Sequence, residues 1–487
     1  MNKDCTLVWF RRDLRLDDNP ALRAAIAAKT PVVPLFIWSP EEEGAWSPGP
    51  ASRWWLHQSL EALSGDLKSR GSRLILRKGS FLQTLTGLLS DIHPVRVLCN
   101  RIVEPGWLEI EEQISTLLRA EKIPIVSFNG SLLAEPGTLL NRQGRPFQVF
   151  TPFWKTLLRV YLPEEGWTAP RVIPAPKQWP DSLPLEALAL EPKIDWAGGI
   201  RATWTPGEKG AHTQLSAFIK KRLETYPEGR DFPAQSDTSR LSPYLHFGEI
   251  SPHAIWHCVA DRAAFHPHPG LMRGEETFLR QLAWREFAHH LLFHFPHTAE
   301  SPLRPEFSSF PWRHDPTALE AWQKGLTGYP IVDAGMRELW RTGWMHNRVR
   351  MIAGSFLVKD LLLPWQKGAQ WFWHTLVDAD LANNTLGWQW VAGCGADAAP
   401  YFRIFNPVVQ GQKFDPEGVY VRRWVPELAQ MPVAWIHHPW DAPLEILGRA
   451  KVKLGISYPW PIVEHGTARI RALAGLDSVK RLIIETR

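Results

Sequence analysis

The 487-residue sequence has few cysteines and no long apolar run. Its four cysteines, Cys5, Cys99, Cys258 and Cys394, lie far apart and form no C-x-x-C pair, so neither a disulfide framework nor a cysteine-held metal cluster is indicated. No apolar run reaches the roughly 18 residues of a membrane span, and Met1–Cys5 lead directly into a strand-like run. We therefore expect no membrane span and no signal peptide, which is typical of a cytoplasmic protein.

Charge of one sign is also scarce, because the formal net charge is only +5. A surface that binds nucleic acid would have to come from local arginine clusters. Tryptophan and proline are abundant instead, with 26 and 42 residues against only 7 tyrosines. Most of the tryptophans are expected to fill the core, and a chain of this length is expected to form two or three domains.

Short apolar strands alternate with helices over roughly residues 1–130. Strands are predicted at Thr6–Phe10, Pro31–Trp38, Arg73–Arg77, Val95–Cys99 and Ile123–Phe128. Helices are predicted between them, the first of them from Pro20 to Ala28 and the second from Ala51 to Arg70. This alternation predicts an α/β domain built on a doubly wound parallel sheet.

The rest of the chain is expected to be a connector followed by helices. Eight prolines fall within residues 163–206, a density that few regular elements survive. We therefore predict a proline-rich interdomain connector over residues 131–206. From Ala211 onward helical periodicity dominates, which predicts a nearly all-helical domain over residues 207–487.

One stretch, from Trp312 to Asn406, combines tryptophan, arginine, carboxylate and carboxamide residues at close spacing. A plain hydrophobic core would not need the charges, and a plain surface would not need the tryptophans. Together they predict a buried polar site walled by large aromatic residues. Such a site suits a flat cofactor and electron chemistry.

Two shorter motifs are candidates for binding phosphate. The hydroxyls of Thr238–Ser242 could cap a helix and leave backbone N–H groups for an anion, or they could form a simple N-cap. Arg285 follows Trp284 on a helix expected to begin near Glu276, and arginine can clamp a phosphate with two hydrogen bonds. The alternative for Arg285 is a surface pair with Glu286.

Charged residues that differ by two positions recur in the central stretch. Arg348 and Arg350 should point to different sides of one helix, so that one faces a ligand or DNA and the other pairs internally. Asp378 and Asp380 have the same spacing. Because a buried carboxylate needs a cationic partner, Arg350 is matched with Asp378, against the alternative of two unrelated surface charges.

A histidine cluster at positions 289, 290, 294 and 297 contains one pair with ligand-compatible helical spacing, His290 and His294. No carboxylate motif of the usual form accompanies this pair. We therefore predict histidines that pack within the fold and no metal site.

A series of motifs along the whole chain closely resembles the cryptochrome/photolyase family. The residues that carry the resemblance are Trp9–Asn19, Gly229–Pro233, Thr238–Ser242, Trp284–Phe287, Gly328–Ala334, Gly343–Met351 and Asp378–Trp390. The resemblance implies an N-terminal α/β antenna domain, a connector and a helical domain that binds U-shaped FAD. The stretches Ser39–Gly44, Ala51–Leu56 and Trp435–Pro443 look like those of plant cryptochromes and bacterial class III cyclobutane pyrimidine dimer photolyases.

By motif, the resemblance implies a set of residues around the FAD. Tyr226, Thr238, Ser239, Leu241 and Ser242 match the residues that hold its pyrophosphate and ribityl region. The remaining matches surround the cofactor: Gln281, Arg285, Asn347, Arg350, Asp378, Asp380 and Asn384. In photolyases of this type an asparagine, here Asn384, faces the flavin N5 atom, whereas plant cryptochromes carry aspartate. A neutral amide tolerates the anionic reduced flavin that an ionised aspartate would repel.

The resemblance also implies a light-driven repair reaction on UV-damaged DNA. Reduced FAD, excited by light, would donate an electron to a cyclobutane pyrimidine dimer flipped out of the duplex. Residues that match the lesion-binding and DNA-binding positions are Arg230, Trp284, Asn347, Arg348, Met351 and Trp390. Trp388, Trp365 and Trp312 match the tryptophan triad that reduces oxidised FAD from the surface. The crowding of Trp340, Trp344, Trp371 and Trp373 in this region makes a parallel branch plausible.

One position departs from the pattern of cyclobutane dimer photolyases. These commonly carry glutamate three residues before the tryptophan at position 284, where this chain has Gln281. Glutamine can hydrogen-bond a thymine but cannot donate a carboxyl proton. Photolyases of the (6-4) type carry glutamine there, but they also use a pair of histidines where this chain has His346–Arg348 and Met351, so the cyclobutane assignment is kept with a lower expected repair yield.

The sequence leaves alternatives of function open. A cryptochrome-like blue-light sensor is the main alternative to the repair enzyme, although the chain ends near Arg487 without the long extension of plant cryptochromes. A (6-4) photolyase is the other. Class III relatives bind 5,10-methenyltetrahydrofolate as antenna, and Glu43, Trp54 and Trp55 lie in the stretch that resembles them. We expect a monomer in the bacterial cytosol.

Overall fold

The computed structural model describes residues 5–162, 166–265, 267–397 and 403–485, and side chains up to 481. Its contacts divide the chain into two compact units. The first unit comprises Met1–Thr225, Ser239–Pro296 and Val377–Leu381, and the second comprises Tyr226–Thr238, His297–Leu376 and Ala382–Arg487. The domain ranges expected from the sequence stay a prediction.

A five-stranded parallel sheet forms the centre of the first unit. Its strands are β1 (Thr6–Phe10), β2 (Val32–Trp38), β3 (Ile75–Lys78), β4 (Arg96–Asn100) and β5 (Ile125–Phe128). They lie in the order β3-β2-β1-β4-β5, with Thr6 of β1 paired to Val32 on one side and to Arg96 on the other. The predicted doubly wound parallel sheet is confirmed, and all five strands overlap their predicted ranges.

Every regular element after β5 in the described chain is helical, apart from two isolated bridges. This confirms the prediction of a helical second half. In chain order the helices are α1 (Pro20–Ala27), α2 (Pro50–Ser69), α3 (Phe81–Ile92), α4 (Pro105–Ala120), α5 (Phe150–Val160), α6 (Gly198–Thr203), α7 (Glu208–Lys221), α8 (Tyr226–Gly229), α9 (Ser242–His246), α10 (Pro252–Phe265), α11 (Pro269–His294), α12 (Pro316–Lys324), α13 (Pro330–Thr342), α14 (Asn347–Ser355), α15 (Trp365–Thr375), α16 (Leu381–Ala392), α17 (Pro407–Phe414), α18 (Val419–Trp424), α19 (Leu444–Arg449) and α20 (His465–Glu485).

Many of the prolines stand at the first position of a helix, where the missing N–H costs no hydrogen bond. In α12, Pro316 follows Asp315, whose carboxylate accepts a hydrogen bond from the Ala318 N–H at 3.0 Å. The same helix ends at Gly325 in the left-handed conformation, with φ of 64°. The proline content is therefore largely explained by helix starts and by the connector.

One face of the sheet carries a large hydrophobic core. Leu7 and Trp9 of β1 belong to this core, together with apolar residues of α3 and α4. Because side chains alternate along a strand, Val8 and Phe10 point to the opposite face, where they are also fully buried. Burial on both faces explains why β1 and β2 are continuous apolar runs in the sequence.

The predicted start of α11 near Glu276 is wrong, because the helix begins at Pro269. Its N-cap is His268, whose Nδ1 accepts a hydrogen bond from the Gly270 N–H at 3.2 Å. Histidine is not one of the residues that normally signal a helix start, and the first two turns carry few apolar residues. Among the helices of the described ranges, none combines the length and apolar character that a bilayer crossing requires.

Candidate functional site

The residues predicted to form the site are divided between the two units. The first unit contains Ser239, Leu241, Ser242, Gln281, Trp284, Arg285, Asp378 and Asp380. The second contains Tyr226, Arg230, Thr238, Trp312, Asn347, Arg348, Arg350, Met351, Trp365, Asn384, Trp388 and Trp390. The residues of each unit are described below with the contacts that they make within that unit.

Asp380 is a buried carboxylate of the first unit that lies close to two histidines. Its carboxylate lies 3.4 Å from Nε2 of His289 and 3.8 Å from Nδ1 of His246, and all three side chains are buried. Burial alone would raise the pKa of Asp380, but His289, His246 and Arg285 together hold that pKa well below its usual range. Asp380 therefore stays ionised at neutral pH and can accept hydrogen bonds from a bound ligand. Sequence reasoning missed His246, since no local signal links it to Asp380.

Arg285 is held in place by the N-terminal part of its own unit. Its Nη1 donates to the Ser131 carbonyl at 2.8 Å and lies 3.3 Å from the Glu286 carboxylate. Glu286 in turn accepts a hydrogen bond from the Leu133 N–H at 2.8 Å, and burial raises its pKa. The side chains of the pair are only 11% and 2% exposed. The alternative of a surface pair is therefore wrong, and Arg285 is a largely buried cation whose position is fixed by its hydrogen bonds.

Trp284 stacks on an aromatic residue that the sequence did not single out. Its ring lies parallel to that of Phe150, with centroids 3.8 Å apart and planes at 6°. The Arg280 guanidinium lies 5.3 Å from the Phe150 centroid. Phe150 is fully buried while Trp284 stays half-buried. The stack therefore fixes the indole plane and leaves part of it accessible. Gln281 lies three positions before Trp284 on α11, a spacing that places both on one helix face.

The loop before α9 has the backbone of an anion-binding turn. Arg240 adopts a left-handed conformation with φ of 53°, and Leu241 follows in the right-handed helical region. Such a pair directs successive backbone N–H groups into one concavity, which favours anions. Gln214 fixes the loop by donating to the Ser239 carbonyl at 2.8 Å. Leu241 is the N-cap of α9 and no side chain caps it, so the predicted hydroxyl cap is wrong in both forms, whereas phosphate binding by the backbone N–H groups stays a prediction.

The three predicted triad tryptophans all belong to the second unit. Trp388 on α16 and Trp365 at the start of α15 are buried, whereas Trp312 is half-buried. A Cβ atom added at Gly368 would overlap the tip of the Trp388 indole, so Trp388 lies directly against α15. The Arg313 N–H bonds the Leu362 carbonyl at 2.8 Å, which ties the chain next to Trp312 to the segment before Trp365. Trp388 and Trp365 are thus enclosed by the fold, and Trp312 is the member of the three that reaches the surface.

Asn384 is anchored to the same helix. Its Nδ2 donates a hydrogen bond to the Ala369 carbonyl on α15 at 3.1 Å. The side chain is half-buried, and its Oδ1 is the atom of the amide that can accept a hydrogen bond from a ligand. Asn384 is therefore a neutral and oriented amide. Further along α16, Trp390 is half-buried and lies on a different side of the helix from Trp388.

Arg348 is clamped on three sides within the second unit. Its Nη2 lies 2.8 Å from the Asp231 carboxylate, and its guanidinium lies 4.4 Å from the centroid of the Phe414 ring. Its Nη1 contacts the sulfur of Met351 at 3.9 Å. Neighbouring Asn347 is exposed at the start of α14. The sequence identified Arg348, Met351 and Asn347 but not Asp231 or Phe414, which come from distant parts of the chain.

Arg350 has a different environment from Arg348. Its Nε donates to the Met345 carbonyl at 2.8 Å, and its guanidinium lies 5.9 Å from the Trp344 ring centroid. The prediction that the two arginines point to different sides is therefore confirmed. The predicted pairing of Arg350 with Asp378 joins residues of different units and stays a prediction.

The segment Tyr226–Thr238 folds tightly on itself. A Cβ atom at Gly229 would overlap Asp237, so glycine is required at this close approach. The Arg230 guanidinium lies 5.5 Å from the ring centroid of Tyr226, which is buried. Tyr226, Arg230 and Asp231 are thereby held together on and beside α8.

The histidine pair on α11 packs within the first unit. Nε2 of His290 accepts a hydrogen bond from the Phe147 N–H at 3.0 Å, and Nε2 of His294 lies 3.2 Å from the Pro136 carbonyl. Burial and the proximity of His294 lower the pKa of His290 to about 4. The prediction of packing histidines is confirmed for this pair.

The tryptophans of the antenna stretch are core residues. Trp54 and Trp55 are 1% and 0% exposed, and Trp55 stacks on Phe247 with centroids 6.0 Å apart. Two buried indoles that pack inward do not fit as direct contacts of an antenna pigment. Glu43 is the remaining candidate, and its carboxylate is bound by Arg12 at 3.0 Å.

Comparison with known protein families assigns this combination of a parallel sheet and helices to a class. Residues 6–177 match the family described as DNA photolyase, and residues 278–478 match the FAD binding domain of DNA photolyase. The second match identifies a domain whose family binds FAD.

Individual relatives agree with these matches over nearly the full chain. A deoxyribodipyrimidine photo-lyase of Agrobacterium fabrum is 48% identical over 98% of this chain and 98% of that protein. Cryptochrome-2 of Arabidopsis thaliana is 44% identical over 95% of this chain and 77% of that protein. A solved bacterial class III photolyase from Agrobacterium tumefaciens superimposes with a TM-score of 0.94 at 47% identity, covering 99% of this chain and 98% of that one. The chain belongs to the DNA photolyase/cryptochrome family.

Proposed function

We propose that this protein is a photolyase that uses light to split cyclobutane pyrimidine dimers in DNA. The observation that carries the proposal is Asn384, a neutral amide whose Nδ2 is anchored on the Ala369 carbonyl at 3.1 Å. An amide at this position can hydrogen-bond a reduced flavin without adding negative charge, which is the form that electron donation to a lesion needs. The similarity to the photolyases described above supports the same proposal.

FAD is the proposed cofactor, and the residues held near the loop and helices described above fit it. The concavity at Arg240–Leu241 suits a pyrophosphate, and ionised Asp380 suits hydroxyl or N–H donors. The proposed binding set is Tyr226, Thr238, Ser239, Leu241, Ser242, Gln281, Arg285, Asn347, Arg350, Asp378, Asp380 and Asn384. Bound FAD, reduced and excited by light, supplies the electron that splits the dimer.

The residues of this chain would hold the lesion and exclude water. Trp284, fixed by its stack on Phe150, and Trp390 are proposed to pack on the flipped bases. Asn347 and Met351 are proposed as neighbours of the lesion, and Arg230 and Arg348 as partners of the DNA phosphates. Trp388, Trp365 and Trp312 are proposed to carry electrons from the surface to oxidised cofactor.

A repair assay on defined substrates tests the proposal. The reduced holoenzyme is illuminated with an oligonucleotide that carries one cyclobutane thymine dimer, and a (6-4) substrate and dark samples run in parallel. We expect light-dependent repair of the cyclobutane dimer alone, and a lower yield from Asn384→Asp, because an ionised carboxylate would repel the anionic cofactor. Repair of the (6-4) substrate alone would reassign the lesion. No repair of either would contradict the proposal.

The lesion partner at Gln281 can be tested separately. This residue lies on the same face of α11 as Trp284, and it lacks the carboxyl proton that glutamate would offer. We expect Gln281→Glu to repair more dimers per flash than the parent protein in a single-flash assay. Equal yields would show that the amide at this position is neutral for repair.

A blue-light receptor is the second candidate, and the 44% identity to a plant cryptochrome favours it. In a receptor, light-driven reduction of the cofactor would change binding to a protein partner instead of DNA. A holoenzyme that photoreduces normally but repairs neither substrate would support this candidate.

Two finer properties complete the proposal. We propose a 5,10-methenyltetrahydrofolate antenna in the N-terminal unit, with Glu43 near it and without direct contacts to Trp54 or Trp55, whose indoles lie in the core. Release of the pigment followed by mass measurement tests this proposal. Absence of folate from gently purified protein, even after incubation with added 5,10-methenyltetrahydrofolate, would contradict it. We also propose that the protein is a monomer in the bacterial cytosol. Sedimentation of the holoenzyme tests the oligomeric state.

A further inference from the structure

The carboxylate of Asp231 lies among the arginines that are proposed to bind DNA phosphates. Oδ1 of Asp231 is 2.8 Å from Nη2 of Arg348 and 4.0 Å from Nε of Arg230. The side chains of Asp231, Arg348 and Arg230 are 38%, 20% and 23% exposed, so the group is neither buried nor free in solvent. All three residues belong to the second unit.

The contacts with Asp231 and Phe414 restrict the orientation of the Arg348 guanidinium. Asp231 binds one end of the guanidinium, and the ring of Phe414 lies 4.4 Å from its centre. A planar guanidinium held at its end and along an aromatic face keeps fewer orientations than a free arginine. The remaining donors of Arg348 can therefore meet a phosphate in only a narrow range of geometries.

The same carboxylate lowers the local positive charge. Arg230, Arg348 and Asp231 together carry one net positive charge, whereas the arginines alone would carry two. Binding to undamaged DNA depends mainly on how many phosphates are neutralised, and not on their geometry. A site with less charge and a fixed arginine favours the one backbone geometry that surrounds a flipped lesion over ordinary duplex.

We propose that Asp231 is a specificity-determining residue, which orients Arg348 on Phe414 and weakens binding to undamaged DNA. This inference rests on the proposed function in lesion repair. It concerns selection of the substrate, and it assigns no role to Asp231 in the electron transfer itself.

Binding titrations in the dark test the inference. The full-length holoenzyme and its Asp231→Asn, Asp231→Glu and Asp477→Asn variants are titrated with two matched duplexes, one of which carries a single cyclobutane thymine dimer. Asp477→Asn on α20 is the control, because it makes the same change in net charge at an exposed carboxylate that pairs only with Lys480 among the contacts described, at 3.4 Å. Flavin absorbance and thermal midpoints of all variants verify that they fold.

For Asp231→Asn we expect tighter binding to undamaged duplex, with a log–log salt slope steeper by about one unit. The ratio of the affinity for the lesion duplex to the affinity for the undamaged duplex should fall roughly tenfold, which is the effect expected when one oriented contact is lost. Asp231→Glu keeps the charge and should restore most of the ratio, whereas Asp477→Asn should leave the ratio unchanged.

Three results would overturn the inference. In the first, Asp231→Asn raises both affinities by the same factor, which would reduce Asp231 to a contributor of net charge. In the second, Asp231→Asn changes neither affinity. In the third, the parent protein has no preference for the lesion, which would remove the proposed function as well. A parent that prefers the lesion together with an unchanged variant removes this inference alone.

Discussion

The contact between Trp388 and α15 gives the sharpest test of the electron path. Gly368 on α15 leaves room for the indole, and a Cβ atom at that position would overlap its six-membered ring. Gly387 on α16, next to Trp388 in the chain, is exposed and has nothing within 4 Å of the same added atom. The substitutions Gly368→Ala and Gly387→Ala therefore add the same methyl group, one against a packed indole and the other in open space.

The two substitutions are expected to differ in their effects on stability. An alanine in a helix interior is favoured over glycine by about 1 kcal/mol, so Gly387→Ala should stabilise the protein slightly. Gly368→Ala gains the same propensity but overpacks a filled site, which typically costs about 1–3 kcal/mol. Because the propensity gain is common to both, Gly368→Ala should be less stable than Gly387→Ala by about 1–3 kcal/mol. The displaced indole should also slow photoreduction of bound FAD.

Urea titrations measure the difference in the free energy of unfolding, and flash absorbance measures photoreduction in the same preparations. Gly387→Ala should photoreduce at the rate of the parent protein, which separates displacement of Trp388 from any general effect of a new methyl group. A Gly368→Ala variant as stable as Gly387→Ala, and equally fast in photoreduction, would refute the packing of Trp388 against α15.

Three further predictions follow from other contacts. Trp365→Phe should photoreduce slowly while pre-reduced enzyme still repairs, as flash absorbance and repair yields would measure; normal photoreduction would refute this route or reveal a second one. Phe150→Leu removes the stack that fixes Trp284, worth about 1 kcal/mol, and should weaken lesion binding several-fold in titrations, so unchanged affinity would remove Phe150 as a positioning residue. The pKa of His290 falls from 6.5 to about 4 on folding, because the buried imidazole stays neutral. The stability of the folded state that depends on neutral His290 is therefore complete above pH 6.5 and is lost as the pH falls toward 4. His290→Gln should therefore lose about 2 kcal/mol less stability than the parent between pH 7.5 and 5, by urea titration; an equal loss would contradict the assignment.

The sheet could be predicted from the sequence because its signals are local. The strands β1 and β2 are short apolar runs buried on both faces, and each strand run is ended by charged or turn residues. The separate directions of Arg348 and Arg350 also follow from helix periodicity alone. In these places the neighbours along the chain decide the structure.

The partners of the site residues could not be predicted, because they come from distant segments. Nothing near Arg348 indicates that Asp231 and Phe414 clamp it, and nothing near Trp284 indicates the stack on Phe150. The side chains of His246 and His289 meet Asp380 only after the helices pack. The family motifs identified which residues matter, whereas tertiary packing decides the charge and orientation of each.

The contacts of α11 have a consequence for how this protein can be divided. Residues 6–177 and 278–478 match two separate families, yet Phe150, Ser131 and Leu133 of the first segment hold Trp284, Arg285 and Glu286 of the second. A fragment that began after the connector would expose one face of the Trp284 indole and would remove the Leu133 N–H donor from the Glu286 carboxylate. The two segments are therefore not interchangeable modules. Recombination that exchanged an N-terminal segment between relatives would have to carry the matching face of α11 with it.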